Sequence, residues 1–189
     1  QFLRMVGEAI LDPVVEGERR VWHPIMVSFR GPAARETDNS PNPFLDYRLQ
    51  VMFVGPSGQT YDVPGFFDGD GHGGGSGDVW RVRFTADEAG KWTFRASFRA
   101  GDDIAISLDP DAGEPNNCDG QSGTFQVAAC DPHAPGYLKW GRLGYVGGHY
   151  LKFKDGPYWI RGGTDSPENF LGYAGFDNTV PSHKYSDHV

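Results

Sequence analysis

The amino-acid sequence predicts a mainly β protein whose larger part is an immunoglobulin-like antiparallel β-sandwich. Aromatic residues make up 14% of the 189-residue chain, which supplies enough ring surface for a sizeable core. The chain also holds 27 glycines and 14 prolines, a content that favours turns over long helices. Six or seven short segments alternate apolar and polar residues with turn signals between them, which is typical of an immunoglobulin-like sandwich.

The alternating segments give the positions of the expected strands. The first surrounds residues 25–29, and Pro24 beside it favours an edge strand or a bulge. A Gly-Pro-Ser-Gly turn at residues 55–58 separates the next two segments, which predicts a hairpin. The further strands are expected at residues 47–53, 61–63, 80–84, 92–98 and 125–127.

The chain changes character near residues 131–141. Before Trp140 there are 20 acidic and 12 basic residues, and after it there are five of each, so the first part carries the whole net charge of −8. A strand, turn, strand pattern follows, and Ser166 with Pro167 is typical of a helix start. The tail therefore predicts a short β-hairpin and the first βα unit of a (β/α)8 barrel. The expected domains are an N-terminal segment at 1–17, an immunoglobulin-like β-sandwich at 18–130, a linker at 131–141 and an incomplete barrel domain at 142–189.

Charge and length exclude several classes of protein. A net charge of −8 argues against binding to nucleic acid or to an anionic membrane surface. The sequence has no run of about 18 apolar residues, as a membrane span needs, so no membrane span is expected, and residues 1–17 are not expected to be a signal peptide. A complete (β/α)8 barrel needs at least about 200 residues, so a full barrel enzyme is not expected within this chain.

Cys118 and Cys130 lie twelve positions apart. They lack the CxxC spacing of a redox pair or zinc site. A disulfide in an exported protein and two free thiols both remain open interpretations.

A glycine-rich loop contains the candidate cation ligands Asp68, Asp70 and Asp78. Carboxylates on a permissive backbone suit Ca²⁺, although no glutamate occupies the last position of an EF-hand pattern. The alternative is a tight or mobile loop with solvated acids, and no other cofactor is expected. A second acidic stretch, at residues 102–119, is interpreted as a solvated loop that favours solubility.

The tryptophans raise the possibility of a carbohydrate-binding surface, because the apolar face of a sugar ring can stack on a flat exposed indole. Trp80 and Trp92 fall on the apolar phase of their strands and are expected in the core. Trp22 is out of phase with Ile25 and Val27, so it is the better candidate for a surface that binds sugar.

Several motifs together resemble a known family. Gly-Phe-Phe-Asp-Gly-Asp-Gly at residues 65–71, followed by segments 79–84 and 90–94, resembles a β-sandwich domain of unknown function. That domain lies at the N-terminus of bacterial proteins assigned as glycoside hydrolases. Residues 150–163 resemble the hairpin and first barrel strand of their catalytic domains, and residues 164–171 resemble the loop that follows.

The resemblance implies a parent enzyme that acts on a polysaccharide in an extracellular or periplasmic location. Asp165, Glu168 and Asn169 come just after the expected barrel strand, where barrel active sites are built, and could contact substrate in the full enzyme. A glycosidase needs two carboxyl groups on opposite sides of the scissile bond. Asp165 and Glu168 are three residues apart on one loop and helix start, where their side chains would face the same side, so they are poor candidates for that pair.

The expected function is that of a non-catalytic accessory domain, truncated before the catalytic carboxylates and inactive alone. Its expected partners are a polysaccharide or oligosaccharide and the remainder of a catalytic barrel or another chain. Two alternatives stay open: a free-standing carbohydrate-binding module, and a structural or interaction domain.

Overall fold

The structure is a computed structural model that describes residues 12–160. This part of the chain is mainly β, with several antiparallel sheets, a short α-helix, α1 (Tyr137–Trp140), and a 3₁₀ helix (Ile104–Ile106). The strands are β1 (Val14–Gly17), β2 (Pro24–Arg35), β3 (Tyr47–Val54), β4 (Thr60–Pro64), β5 (Phe66–Phe67), β6 (Ser76–Thr85), β7 (Gly90–Ala100), β8 (Glu114–Pro115), β9 (Ser122–Val127), β10 (Leu143–Tyr145), β11 (Leu151–Phe153) and β12 (Tyr158–Trp159).

The strands form three sheets. The first has the order β1-β2-β6-β5, and the second has the order β4-β3-β7, with β8 and β9 both paired to β7. The third is a small sheet with the order β10-β11-β12. Its last two strands are the hairpin that the sequence predicted, and they pair antiparallel as expected.

The two larger sheets face each other across one core, because alternate side chains of each strand point inward. Phe53 of β3 stacks on Phe84 of β6, with ring centroids 4.1 Å apart. Trp80 and Trp92 are buried, as the alternation predicted, and their indole N–H groups donate to the carbonyls of Pro32 and Glu88 at 3.0 Å. This two-layer arrangement agrees with a sandwich, whereas the immunoglobulin-like topology stays a prediction.

Pro24 does not mark an edge strand. Strand β2 lies between β1 and β6, so the edge prediction is wrong. Pro24 is tolerated because it is the first residue of β2, and pairing with β1 begins one residue later, at Ile25. A bulge does occur in this strand, between Arg30 and Ala34.

The predicted barrel start reaches beyond the described residues. The hairpin β11–β12 is present, but the expected helix start at Ser166 and Pro167 lies outside residues 12–160. The domain bounds remain predictions, and α1 falls within the expected linker. Residues 12–160 contain no helix with the length and apolar character of a membrane span.

Candidate functional site

The small sheet is attached to the first part of the chain by a group of polar contacts. The Trp22 indole N–H donates to Asp155 Oδ2 at 3.0 Å, and Lys154 Nζ donates to Asp87 Oδ2 at 3.1 Å. The Tyr61 hydroxyl donates to the same carboxylate. These five side chains, from Trp22, Tyr61, Asp87, Lys154 and Asp155, are called the latch.

Asp87 is the centre of the latch. Its side chain is only 8% exposed. Burial alone would raise its pKa, but the hydrogen bonds from Tyr61 and Lys154 outweigh that effect and hold the pKa below its usual value. Burial and the hydrogen bond to Asp87 together raise the pKa of Tyr61 to about 12. At neutral pH the latch therefore contains an ionised Asp87 carboxylate that accepts hydrogen bonds from the neutral phenol of Tyr61 and from Lys154.

Close backbone approaches hold the same junction together. Gly141 has a φ of +77°, and a Cβ at this position would lie 2.6 Å from Trp22 Cε2. A Cβ on Gly156 would lie 2.5 Å from Trp140 Cγ. The Trp140 ring packs in turn on Phe153, with centroids 5.5 Å apart. The contacts of Trp140 hold α1 to the small sheet, and the approach of Gly141 to Trp22 fixes this unit to the core by steric fit as well as by hydrogen bonds.

Exposed apolar side chains concentrate in this same small sheet and beside it. Seven of the thirteen exposed large apolar side chains in the described part of the chain lie within residues 137–160. Such a concentration is typical of a surface that contacts another protein segment. The most exposed of them are called the hairpin surface, and they are Tyr145, Tyr150, Tyr158 and Ile160.

The aspartates of the predicted calcium loop do not converge. Asp68 forms an ion pair with Arg81, and Asp78 forms one with Arg30. Asp70 Oδ1 instead accepts hydrogen bonds from the backbone N–H groups of His72 and Gly74, which lower its pKa. Within residues 12–160, no three His, Cys, Asp or Glu side chains are grouped to hold a metal ion. The arginine pairs therefore take up the carboxylates that the calcium prediction required.

Trp22 is not at the surface, so the prediction of an exposed ring is wrong. The side chain is buried beneath Gly141, and its N–H is used by Asp155. The apolar–polar alternation of the strand does not apply to Trp22, because β2 begins only at Pro24. Trp22 lies before the strand and has a φ of 68°. Its ring is only 6% exposed and has the Lys154 ammonium 5.4 Å from its centroid, so it is not the flat exposed surface that sugar stacking requires.

Both cysteines are free thiols, so the disulfide alternative is wrong. They lie against different parts of the molecule. Cys118 is buried and its thiol faces the carbonyl of Arg30, while Cys130 Sγ lies 3.2 Å from the carbonyl of Lys139. Burial and the charge of Asp78 raise the pKa of Cys118 to about 11.

Asp165, Glu168 and Asn169 lie outside the described residues, and their role in binding substrate stays a prediction. The latch, in contrast, was missed by sequence reasoning. Trp22 and Asp155 are 133 positions apart, and Lys154 and Asp87 are 67 apart. Neither pair has a local spacing that could have signalled the contact.

The chain has similarity to one family model and to one solved structure. Residues 18–99 match DUF5060, a domain of unknown function. No curated protein matches the chain. A solved structure described as a putative glycoside hydrolase from Bacteroides vulgatus ATCC 8482 is 26% identical, with a TM-score of 0.49. The match covers 74% of this chain and 20% of that protein, so the chain spans a fifth of its length.

Proposed function

We propose that this chain is a non-catalytic accessory domain of a polysaccharide-degrading glycoside hydrolase, and that it fixes the position of the catalytic domain. The proposal depends mainly on the small sheet. The latch fixes it to the core, and its hairpin surface exposes apolar side chains to solvent. A free linker would need neither the buried Asp87 carboxylate nor the close approach of Gly141 to Trp22.

The core itself supports a structural role. Its largest rings, including Trp80, Trp92 and Phe98, point inward and fill the space between the sheets. A glycosidase needs two carboxyl groups about 5–9.5 Å apart on either side of an open cleft. The sequence offers no such pair, because Asp165 and Glu168 lie only three residues apart, and the candidate cation ligands Asp68 and Asp78 are each paired with an arginine.

The hairpin surface supplies the contact with the catalytic domain. Tyr145 is 76% exposed and Ile160 is 75% exposed, which is unfavourable for side chains that remain in water. A following domain that packs on the hairpin surface would bury these side chains. The latch would then fix the orientation of that domain relative to the core. Interfaces between domains of one chain are commonly built in this way.

The glycoside hydrolase part of the proposal is supported by the sequence resemblance of residues 65–94 and 150–171. A polysaccharide substrate would be met outside the cytoplasm, so the proposal includes an extracellular or periplasmic location. The partners are then a polysaccharide and the remainder of a catalytic barrel.

Hydrolysis assays test the non-catalytic assignment. The purified chain is incubated with plant, algal and bacterial polysaccharides, and reducing ends are measured. We expect no release above the level of a buffer control. Release that copurifies with the chain, and that is lost on its heat denaturation, would contradict the assignment.

A pair of exposed tyrosines tests the docking role. The double variant Tyr145→Ser, Tyr158→Ser should leave the melting temperature of this chain nearly unchanged, because both side chains are more than half exposed. In the longer protein that includes a catalytic domain, we expect the same variant to lower the melting temperature of that domain or to separate one transition into two. An equal melting profile in both backgrounds would contradict docking through the hairpin surface.

A further inference from the structure

A groove crosses the outer face of the second sheet, away from the core. Its main hollow has a volume of about 660 Å³, within the range of about 300–1,000 Å³ that is typical of ligand sites. Its lining includes Gln50 of β3, Ser97 of β7, Asp62 and Pro64 of β4, and Leu108 of the loop that follows β7.

The loop at residues 107–110 is held against strand β3 by Arg48. This guanidinium donates to the carbonyls of Ser107 at 3.0 Å and of Asp109 and Pro110 at 2.9 Å. These hydrogen bonds fix the conformation of the loop beside the sheet, and Leu108 is fully exposed on it. Only carbonyls accept from Arg48 in these contacts, so its positive charge is not neutralised by them.

The groove extends beyond the main hollow. An adjoining hollow of about 330 Å³ is lined by Gly123 and Thr124 of β9, and it shares Met52 and Arg95 with the first. The two hollows together cross β4, β3, β7 and β9. Four neighbouring strands span about 14 Å, which is long enough for a chain of linked rings rather than a single small molecule.

Arg95 lies where the two hollows meet. It is exposed and forms no ion pair or hydrogen bond through its side chain with another described residue. Arg48 and Arg95 outnumber the single acidic lining residue, Asp62, in a chain whose net charge is −8. Asp109 and Asp111 lie on the adjoining loop, where Asp109 Oδ1 accepts from the backbone N–H of Asp111. Arg95 is therefore the exposed guanidinium of the groove that is left to meet an anionic group of a ligand.

We propose that this groove binds an oligosaccharide that carries carboxylate groups, with a carboxylate on Arg95. Guanidinium groups bind carboxylates by paired, charge-assisted hydrogen bonds. The hydroxyls of Ser97 and Thr124 provide the short polar contacts that sugar hydroxyls require, and the Gln50 amide, which donates to Asp62 Oδ2 at 3.3 Å, leaves its carbonyl oxygen as a further acceptor. Met52 and Leu108 provide apolar contact for the C–H faces of the rings.

The position of the groove favours a sugar over a peptide. Extended peptides commonly add to the open edge of a sheet, where backbone groups are unpaired. This groove lies on a face, and the strands beneath it are paired to each other along β3, β4, β7 and β9. The site is separate from the latch and the hairpin surface, so the inference goes beyond the accessory role and does not depend on it.

Calorimetric titration with defined oligosaccharides tests the proposal. The probes are tetramers of galacturonate, mannuronate and a glucuronate-containing repeat, each compared with its methyl ester. Arg95→Gln is the test variant. Arg83→Gln is the matched control, because Arg83 is exposed on the other sheet and faces Met26 there as Arg95 faces Met52 here.

We expect at least one acidic tetramer to bind, and its methyl ester to bind about tenfold more weakly or worse. Arg95→Gln should cause a similar loss, while Arg83→Gln and the double variant of Tyr145 and Tyr158 should bind as the parent chain does. No binding of any acidic tetramer would overturn the proposal, as would equal binding of the esters or an equal loss in Arg83→Gln.

Discussion

Single residues in this fold are constrained by the rings packed around them. Gly31 lies in β2 near the bulge, and a Cβ there would lie 2.5 Å from Trp80 Cδ1 and 2.7 Å from Phe98 Cε1. A glycine in a strand often marks such an approach of backbone to side chain. The indole of Trp80 can occupy the core only because position 31 has no side chain.

Replacing Gly31 by alanine should therefore destabilise the protein. We expect Gly31→Ala to lower the free energy of unfolding by about 1–3 kcal/mol, because the methyl group must displace buried rings. Gly144→Ala is the control, since its Cβ would meet nothing within 4 Å. Urea denaturation followed by tryptophan fluorescence measures both, and equal midpoints for the two variants would contradict the packing described.

The two thiols should differ in reactivity. Cys118 is fully buried and its pKa is raised to about 11, whereas Cys130 is partly exposed. Because the thiolate is the reactive form, we expect iodoacetamide at pH 8 to label Cys130 first and Cys118 only after unfolding. Peptide mass spectrometry gives the order of labelling. Faster labelling of Cys118, or a mass increase of two hydrogens on reduction, would contradict this assignment.

Sequence reasoning at the residue scale succeeded where a residue lies inside a regular strand. Trp80 and Trp92 follow the alternation of β6 and β7, so their burial could be read from the pattern. Trp22 could not be placed in this way, because its positive φ interrupts the alternation. The state of the cysteines depends on which distant strands and loops they meet, and no spacing encodes that.

Strands were predicted well where one face of the strand is buried and the other face is exposed to solvent. Strands β3 and β7 were located by their alternation, and the β11–β12 hairpin by the turn at residues 155–157. The attachment of that hairpin to the core was not predictable, because Lys154 and Asp87 are far apart in sequence. Pro24 misled the prediction because a proline at the first position of a central strand resembles one in an edge strand.

The attachment of the hairpin can be tested at Asp87. Asp87→Ala removes the acceptor of both Tyr61 and Lys154, and we expect the free energy of unfolding to fall by about 1.5–3 kcal/mol. Asp78→Ala removes an ion pair whose two side chains are about half exposed, and it should cost about 0–1 kcal/mol. Chemical denaturation at neutral pH compares the two, and an equal effect would show that the latch is no stronger than a surface pair.

The same carboxylate predicts a pH dependence. The pKa of Asp87 is lower in the folded protein than the value of about 3.9 for an unfolded chain. Its contribution is therefore complete above pH 3.9 and is lost as the pH falls through the lower folded pKa. Denaturation at pH 6 and at pH 2.5 should show a larger difference between parent and Asp87→Ala at the higher pH. A difference that grows on acidification would contradict the sign.

The whole molecule combines a filled two-sheet core with a small sheet that is fixed to it and left partly uncovered. The core buries its large rings. The groove on its outer face is lined by other residues than those of the junction at Asp87. This division separates two roles that one domain can hold: an oriented contact with a following domain, and a surface that meets a ligand. The first of these roles depends on a small sheet that is held rigidly against the core.

Hydrogen exchange of the small sheet measures whether it is held to the core. Backbone amides of β11 and β12 are measured in the parent chain, in Lys154→Met and in Lys152→Met, since Lys152 contacts Tyr158 within the sheet and makes no bond to Asp87. We expect slow exchange in the parent chain and in Lys152→Met, and clearly faster exchange in Lys154→Met. Exchange as fast as in an unfolded peptide in all three proteins would contradict this expectation.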